Sequence, residues 1–448
     1  MTIEQGLRAG ERRRMTASHT LRQATRTALG WLPQSVRHRL YRNMVRCDPA
    51  PDSRLKLKIA ESLPELEGCF SLLHDAYVTS GFMKPDPSGM RVTIYHALPT
   101  TTTLVALWDG RPVGTLSLIR DGAFGLPMQS AFDLSSVRRK GGQIAEVSAL
   151  AVADEFRRSG GTILFPLMKF MYEYCIKYFD TRHLVIAVNP NRIELYESLL
   201  FFERLPASTV NHYDFANGAP AVGATLDLSK ALVRFKTVYG EKRPLRNLYS
   251  YFVETTLANI DLPPRPLHTT NDPVLTPGLM DHFFNRRTQV LSVLEPHDRA
   301  LLRSIYRGTS LEAVLPSAGV KEVAMRRHPR YSIRCPARLS LGHDGKGGEE
   351  LSTVLTDLSE AGCRVESPAQ MEIGQSGMLE VELGPRCHSL LQVQVVRSVR
   401  APAPVRRYAL RVIHADANWT ECVHALESGL TFSDLLGGVP AGAAEACV

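Results

Sequence analysis

No run of apolar residues in this chain reaches the roughly 18 that a membrane-spanning helix needs, so the sequence predicts no transmembrane segment. The N-terminus also lacks the compact apolar stretch of a secretory signal, and a cytoplasmic location is expected. The 8 cysteines are scattered, with no Cys-x-x-Cys pair and no Cys/His cluster. That excludes a disulfide framework and a structural zinc site, and it fits a reducing compartment. No internal repeat is present, which excludes a solenoid or a propeller. Net charge is scarce over most of the chain: it totals +8, but residues 1–50 hold ten arginines (Arg8, Arg12, Arg13, Arg14, Arg22, Arg26, Arg37, Arg39, Arg42, Arg46) against Glu4, Glu11 and Asp48. The remainder is close to neutral. The basic arm suits an acidic partner, and peripheral contact with an anionic membrane is expected there. No DNA or RNA partner is expected.

What is present is an ordinary globular composition, 44% apolar and 22% charged over 448 residues, enough for two or three domains. Residues 1–52 read as a basic, partly disordered arm with short amphipathic patches at Leu21–Leu32 and Val36–Val45, ending at the Pro49-Ala50-Pro51 break. From 53 to 232 strands and helices alternate. Lys56–Ala60 is a predicted strand, and Leu63–Ser80 is a helix with Leu66, Phe70, Leu73 and Tyr77 on one face. Thr101–Trp108 and Pro112–Ile119 form a hairpin across Asp109-Gly110. Ile144–Val152 and His183–Val188 are further strands, with helices over Gly161–Phe179 and from Arg192 to Leu200. Residues 233–320 read as helical, with Thr276-Pro277 as an N-cap and first-turn pair. Residues 321–416 are strand-rich with glycine turns, as a small all-β barrel requires. A C-terminal helix and a disordered Gly/Ala-rich tail occupy 417–448.

Two pieces of the strand-rich part carry chemistry. Arg326-Arg327-His328-Pro329-Arg330 places arginines four apart just before the strand that starts at Tyr331. Asp357-Leu358-Ser359-Glu360-Ala361-Gly362 is an Asp-x-Ser-x-x-Gly pattern at a strand end. In this order on a β-rich background they resemble the PilZ family. The resemblance implies that this part binds cyclic di-GMP. The chemistry agrees: guanidinium forks pair with phosphate or with guanine O6 and N7 and stack on bases. Arg326, Arg327 and Arg330 are then the clamp, Asp357 takes guanine N–H donors, Ser359 bonds a phosphate or base edge, and Gly362 allows a sharp turn. Ala409 departs from the glycine common in the last strand of that family.

The segment from 55 to 230 resembles the GNAT acyltransferase superfamily, nearest the N-acyl amino acid synthase branch related to acyl-homoserine lactone synthases. The residues that carry this are Tyr77–Phe82 with Asp86 and Tyr95, Thr100–Leu107 running into Gly114–Leu118, Gly125-Leu126-Pro127 before Phe132, Glu146–Val152, Phe156–Thr162, and Asn189-Pro190 leading to Tyr196 and Phe202. It implies an α/β (α+β) domain that transfers an acyl group from acyl carrier protein, or from acyl-CoA, to the amine of an amino acid or similar small amine. No tightly bound cofactor and no metal are expected.

On the catalytic side the candidates are Glu146 as general base, Ser148 two residues on along the same strand face, and Tyr196 beside the leaving thiolate. On the donor side they are Leu150, Ala151 and Val152, with backbone N–H groups for the thioester carbonyl, and Arg157, Arg158, Gly160, Gly161 and Thr162, a glycine loop at a helix start that favours a phosphate. Thr162 stands where the family pattern has Gly or Ala, which suits the single phosphate of a carrier protein's pantetheine better than a pyrophosphate. Leu164, Leu167, Met168, Met171, Phe201 and Phe202 are expected to line an apolar slot, and the helical stretch after 230 to cap it or to join the modules. The alternative from the same residues is a non-catalytic cyclic di-GMP effector that recruits a partner or membrane through a degenerate acyltransferase scaffold. Protein acetylation from acetyl-CoA is a further one.

Overall fold

The computed structural model of the chain describes residues 32–262, 268–269, 275–317, 331–342, 350–384, 387–399 and 405–427, apart from Ala123, Arg158, Asp180 and Gly308. The first large element is a seven-stranded sheet. Its strands are β1 Leu55–Ile59, β2 Thr101–Trp108, β3 Arg111–Arg120, β4 Gln143–Val152, β5 Thr181–Val188, β6 Glu203–Tyr213 and β7 Ala219–Asp227, in the spatial order β1-β2-β3-β4-β5-β7-β6. The predicted hairpin joins β2 and β3 at Asp109 and Gly110, both with positive φ (49° and 79°), which matches the right-handed strand twist.

Every neighbouring pair is antiparallel except β4 with β5. That parallel pair keeps register only from Gln143/Thr181 to Glu146/Val185. Beyond Glu146 the strands part, because the rest of β4 stays with β3 (Ser148 opposite Ser117, Val152 opposite Gly114) while β5 follows β7 as far as Val188/Val222. A wedge therefore opens in the middle of the sheet.

Helices cover both faces. Helix α1 spans Gln34–Asn43 of the basic arm, and α2 spans Leu63–Thr79 with Leu66, Phe70 and Leu73 buried. Ser62 and Glu65 close a capping box at the start of α2, satisfying backbone donors that the first helical turn leaves open. After the four-residue α3 (Ser135–Arg138), α4 (Leu164–Tyr178) buries Phe165, Leu167, Phe170 and Tyr174 in the core. Its start lies three residues later than the pattern predicts, since Gly160 and Gly161 adopt φ of 72° and 97°, which no helix accommodates. Lys169 in its middle is 1% exposed; its ammonium pairs with Glu173 at 2.6 Å and donates to the Phe252 carbonyl at 3.0 Å, so the buried charge is compensated.

Helix α5 (Ile193–Leu200) follows β5, and α6 (Leu228–Tyr239) joins the α4 side of the core through Leu228, Ala231, Phe235 and Tyr239. Further on, α7 (Pro277–Asp281) and α8 (Pro296–Ile305) pack against α2: Phe283 meets Phe70 edge-on at 5.1 Å, and the Tyr306 hydroxyl donates to the Ala97 carbonyl. Thr276 caps α7 as predicted, accepting from the Leu279 amide at 3.2 Å.

The second element is a closed six-stranded antiparallel barrel: β9 Tyr331–Leu341, β10 Glu350–Ser359, β11 Gly362–Ser367, β12 Ser376–Gly384, β13 Cys387–Val399 and β14 Arg406–His414. Pairing of β10 with β9 closes it. A two-residue strand, β8 (His268–Thr269), adds to β9. Helix α9 (Ala417–Glu427) contributes Trp419 and Val423 to the barrel core.

Candidate functional site

The wedge between β4 and β5 opens into a cavity of about 1180 Å³. Its walls are Glu146–Leu150 of β4, Ile186–Asn189 at the end of β5, Met168 and Met171 of α4, Leu195 and Tyr196 of α5, Tyr77 and Phe82 near the end of α2, and Tyr213, Phe215 and Ala221 around the β6–β7 hairpin. Tyr41 of α1 adds to the rim. The lining is mostly apolar, and the volume exceeds the roughly 300–1,000 Å³ of ordinary small-molecule sites. Of the six side chains expected to line a slot, Met168, Met171 and Phe202 do so, whereas Leu164, Leu167 and Phe201 are absent from its walls and pack in the sheet core. Among the described residues, nothing beyond Ala221 reaches the cavity, so the helices after 230 do not cap it. They have their own apolar partners on α2 and α4.

Glu146 is the last β4 residue still paired with β5 and sits where the wedge begins. Its side chain is 2% exposed yet faces the cavity. One oxygen accepts from the Met128 amide at 2.9 Å. Burial, which penalises the charged form, pushes its carboxyl up to about 8, and the single amide bond offsets only part of that.

Ser148 lies two residues further on the same wall and is half-buried. Between them and the strand end, β4 bulges: its register with β3 shifts between Thr115 and Ser117, and Ala149 takes φ of 54°. A bulge of this kind re-aims backbone groups. Leu150 lines the cavity beside it, while Ala151 and Val152 return to register opposite Thr115 and Gly114 and do not. Tyr196 stands across the cleft, edge-on to Phe202 at 6.0 Å, with its hydroxyl pKa raised by burial.

The glycine loop lies outside the cavity at the start of α4. Among the described residues, the amides of Gly160, Gly161 and Thr162 meet no acceptor. Arg157 is committed to the loop itself, donating to the Val152 carbonyl at 2.9 Å and pairing with Asp154 at 2.5 Å. Arg158 lies outside the described residues.

Sequence reasoning missed Tyr213. Its ring lines the cavity and its buried hydroxyl has no hydrogen-bond partner among the described residues; burial, with Glu146 nearby, raises its pKa. Tyr95 is pushed up to about 12 by burial and the same carboxyl. Asn217-Gly218, with φ of 53° and 74°, is the hairpin signal that would have placed Tyr213 at the end of a strand.

In the barrel, β10 carries a bulge between Leu355 and Asp357. The extra residue shifts the side-chain alternation, so Leu355 and Leu358 both enter the core while Asp357 and Ser359 share the other face. Asp357 pairs with Arg364 of β11 at 3.0 Å, and the Ser359 hydroxyl donates to the Gly362 carbonyl at 2.9 Å. Arg364, directly opposite Asp357, is a cation the sequence reading passed over. Gly362 is not at a positive φ. Its requirement is close approach, since a Cβ there would lie 2.7 Å from the Leu410 carbonyl of β14. Gly362→Ala is therefore expected to lower barrel stability by about 1–3 kcal/mol, read as a lower melting temperature of that transition. Arg326, Arg327 and Arg330 lie outside the described residues.

The splayed sheet with a buried carboxyl at the fork is an acyltransferase-type cleft, and the barrel is a second fold with its own core. Residues 68–227 match the family N-acyl amino acid synthase FeeM, and residues 325–424 match the PilZ domain. The chain thus joins an N-acyltransferase domain of the FeeM type to a PilZ domain. Among solved structures it is similar to FeeM, an N-acyl amino acid synthase from uncultured soil microbes, with 25% identity over 40% of this chain and 94% of that chain at a TM-score of 0.34. It is similar to the CoA-dependent acyl-homoserine lactone synthase BjaI solved with SAM and isopentyl-CoA, with 19% identity, 47% and 95% coverage and a TM-score of 0.34. Spermidine N-acetyltransferase from Vibrio cholerae in complex with CoA and spermine follows at 17% identity, 40% and 99% coverage and a TM-score of 0.29. A comparison with curated proteins finds no match. Among the described residues no helix is long and apolar enough to cross a membrane, and no cluster of His, Cys, Asp or Glu is placed to hold a metal.

Proposed function

We propose that the protein is a cyclic di-GMP-responsive N-acyltransferase that moves a long acyl chain from acyl carrier protein to the amine of an amino acid or a similar small amine. One observation carries the reading: a buried carboxyl with its pKa at about 8 stands at the floor of a mostly apolar cavity of about 1180 Å³. A free α-amino group titrates at about 7.7–8.0, so proton transfer from it to Glu146 is nearly balanced. The amine nitrogen attacks the thioester carbonyl, Glu146 takes the amine proton, and backbone N–H groups at the Ala149–Leu150 bulge hold the oxyanion. Collapse breaks the C–S bond, Tyr196 gives its proton to the thiolate, and the amine proton held by Glu146 then passes through solvent to the Tyr196 phenolate, which resets both groups. Ser148 orients the amine.

The apolar walls at Met168, Met171 and Phe202 suit a long chain better than an acetyl group. Arg157 is tied to its own loop, and Thr162 stands where a Gly or Ala would suit a pyrophosphate, which supports the carrier-protein donor over CoA. Purified enzyme given acyl carrier protein and CoA thioesters of graded chain length tests the reading, with N-acyl products followed by mass spectrometry. Turnover with acetyl donors only would overturn it. Met171→Trp is expected to shift the preferred donor to shorter chains and to raise KM for the longest about tenfold, the order expected when a bulky group displaces a few methylenes from the slot.

The regulatory half rests on the PilZ domain. Cyclic di-GMP changes turnover only if it binds two states of the protein differently. Saturating nucleotide is expected to alter kcat; unchanged turnover would favour a binding module that merely shares a chain with the enzyme.

A further inference from the structure

Helix α1 is held to the body by one face. On that face Arg37 pairs with Glu194 of α5, Arg42 donates to the Ser198 carbonyl at 2.9 Å, Tyr41 reaches the cavity rim, and Val45 is 3% exposed. The other face meets no partner among the described residues. Val36, Leu40 and Met44 recur every four residues, which stacks them as one stripe along the helix and its C-cap, and Leu32 extends the apolar surface just before the helix, ahead of Pro33. Leu32, Val36, Leu40 and Met44 are 36%, 41%, 41% and 78% exposed. A stripe of this kind on a surface helix marks a contact site.

Cations surround it. Arg39 and Arg46 on the same segment are exposed, as are Arg243 and Arg246 in the turn after α6, with Leu245 between them 43% exposed. That turn is tied to the end of the α1 segment, since the Cys47 amide donates to the Leu245 carbonyl at 2.9 Å. Partial burial, then Arg42, Arg246 and Arg39, lower the Lys242 pKa, which reports how closely the cations crowd. Asp48 and Glu241 are the acids adjacent in sequence, against at least five cations.

We infer that this surface, the Leu32–Met44 stripe with Arg39, Arg46, Arg243 and Arg246, docks on an anionic phospholipid bilayer. An apolar stripe flanked by Arg and Lys is the arrangement of an interfacial helix: the apolar side chains enter the headgroup–acyl boundary and the cations meet lipid phosphates. An acidic protein would satisfy the arginines but not a flat exposed row of aliphatic side chains. The sequence ahead of the helix continues the pattern, with Trp31 next to Leu32 and six more arginines before it. Tyr41, on the same helix, borders the cavity, so a long-chain amide formed there would leave beside the bilayer. Only that delivery step rests on the acyl-transfer reading; the docking does not.

Sedimentation of the full chain with vesicles tests the inference, comparing phosphatidylcholine alone with equal parts phosphatidylcholine and phosphatidylglycerol. Binding is expected to the anionic vesicles and not to the neutral ones, and to weaken with added salt. Leu40→Glu with Met44→Glu is expected to reduce it at least about tenfold. Arg243→Glu with Arg246→Glu is expected to do so as well. Both pairs lie off the cavity walls, so circular dichroism and turnover of a soluble short-chain donor should stay at parental levels; this separates loss of docking from loss of the active site. Parental vesicle binding by Leu40→Glu/Met44→Glu overturns the proposal, assigning attachment to the arginines before residue 31. A dimer that this variant dissolves, or no binding to either vesicle, overturns it as well.

Discussion

Glu146→Gln is expected to abolish most turnover and, at the same time, to make the acyltransferase domain more stable. Removing a positioned general base typically costs about 10²–10⁴-fold in rate, and here the loss should fall on kcat, since the amide keeps the volume and can still accept the Met128 N–H. Stability moves the other way because the carboxyl is held in an environment that resists its ionisation. Below pH 4.5 it is protonated in both the folded and the unfolded chain and contributes no difference. Between 4.5 and about 8 only the unfolded chain releases the proton, so parental stability falls as the pH rises. Above about 8 the folded form ionises too, and the penalty levels off. At pH 7 this amounts to about 3 kcal/mol. Melting temperatures of parent and variant should therefore coincide near pH 4.5 and diverge toward pH 8. The rising limb of the parent's rate with pH should lose its Glu146 part in the variant and keep only the part set by the amine, which titrates at about 7.7–8.0, so the limb becomes shallower. Equal melting curves at every pH would show that the carboxyl is not held protonated in the cleft.

Arg326→Ala combined with Arg330→Ala is expected to weaken cyclic di-GMP by about 10²–10⁴-fold, since each charge-assisted contact is worth about 1.5–3 kcal/mol. The melting transition of the barrel is expected to stay where it is, since the core among the described residues is built from Leu339, Leu355, Leu358, Val365, Leu391 and Val393. Asp357→Ala provides the contrast. It removes an acceptor from the face proposed to meet the nucleotide and also the carboxylate that pairs with Arg364 at 3.0 Å, so affinity and barrel stability should fall together, the latter by about 1–3 kcal/mol. Calorimetric titration of the three proteins distinguishes the cases. An unchanged titration in the double-arginine variant would remove the sensor role from that segment.

Local order was legible wherever it depends on near neighbours. Asp109-Gly110 specified its hairpin, Thr276 marked a helix start, and Leu66, Phe70 and Leu73 faced one way because helical periodicity puts them there. Asp-x-Ser-x-x-Gly and the arginines before Tyr331 could be recognised for the same reason, as a short pattern with its own chemistry. The β6–β7 hairpin was open to the same reading at Asn217-Gly218 and was overlooked. Bulges were not legible: neither Ala149 nor Thr356 announces that a strand changes its facing there, because the extra residue is defined only against the partner strand.

What the amino-acid sequence decided alone is the division into an arm, an alternating α/β part and a β-rich part, and the residue types available to each. Only the tertiary structure decided that Glu146 is nearly proton-locked, that Tyr213 and Tyr95 share its surroundings, that the helices after 230 serve α2 and α4 rather than the cavity, and that Tyr41 of the basic arm reaches the rim. The physical reason is common to all four. Desolvation, pairing and closure depend on which atoms are brought within a few ångströms by strands and helices far apart in the chain, and that is settled when the β4–β5 pair separates, not by any segment read on its own.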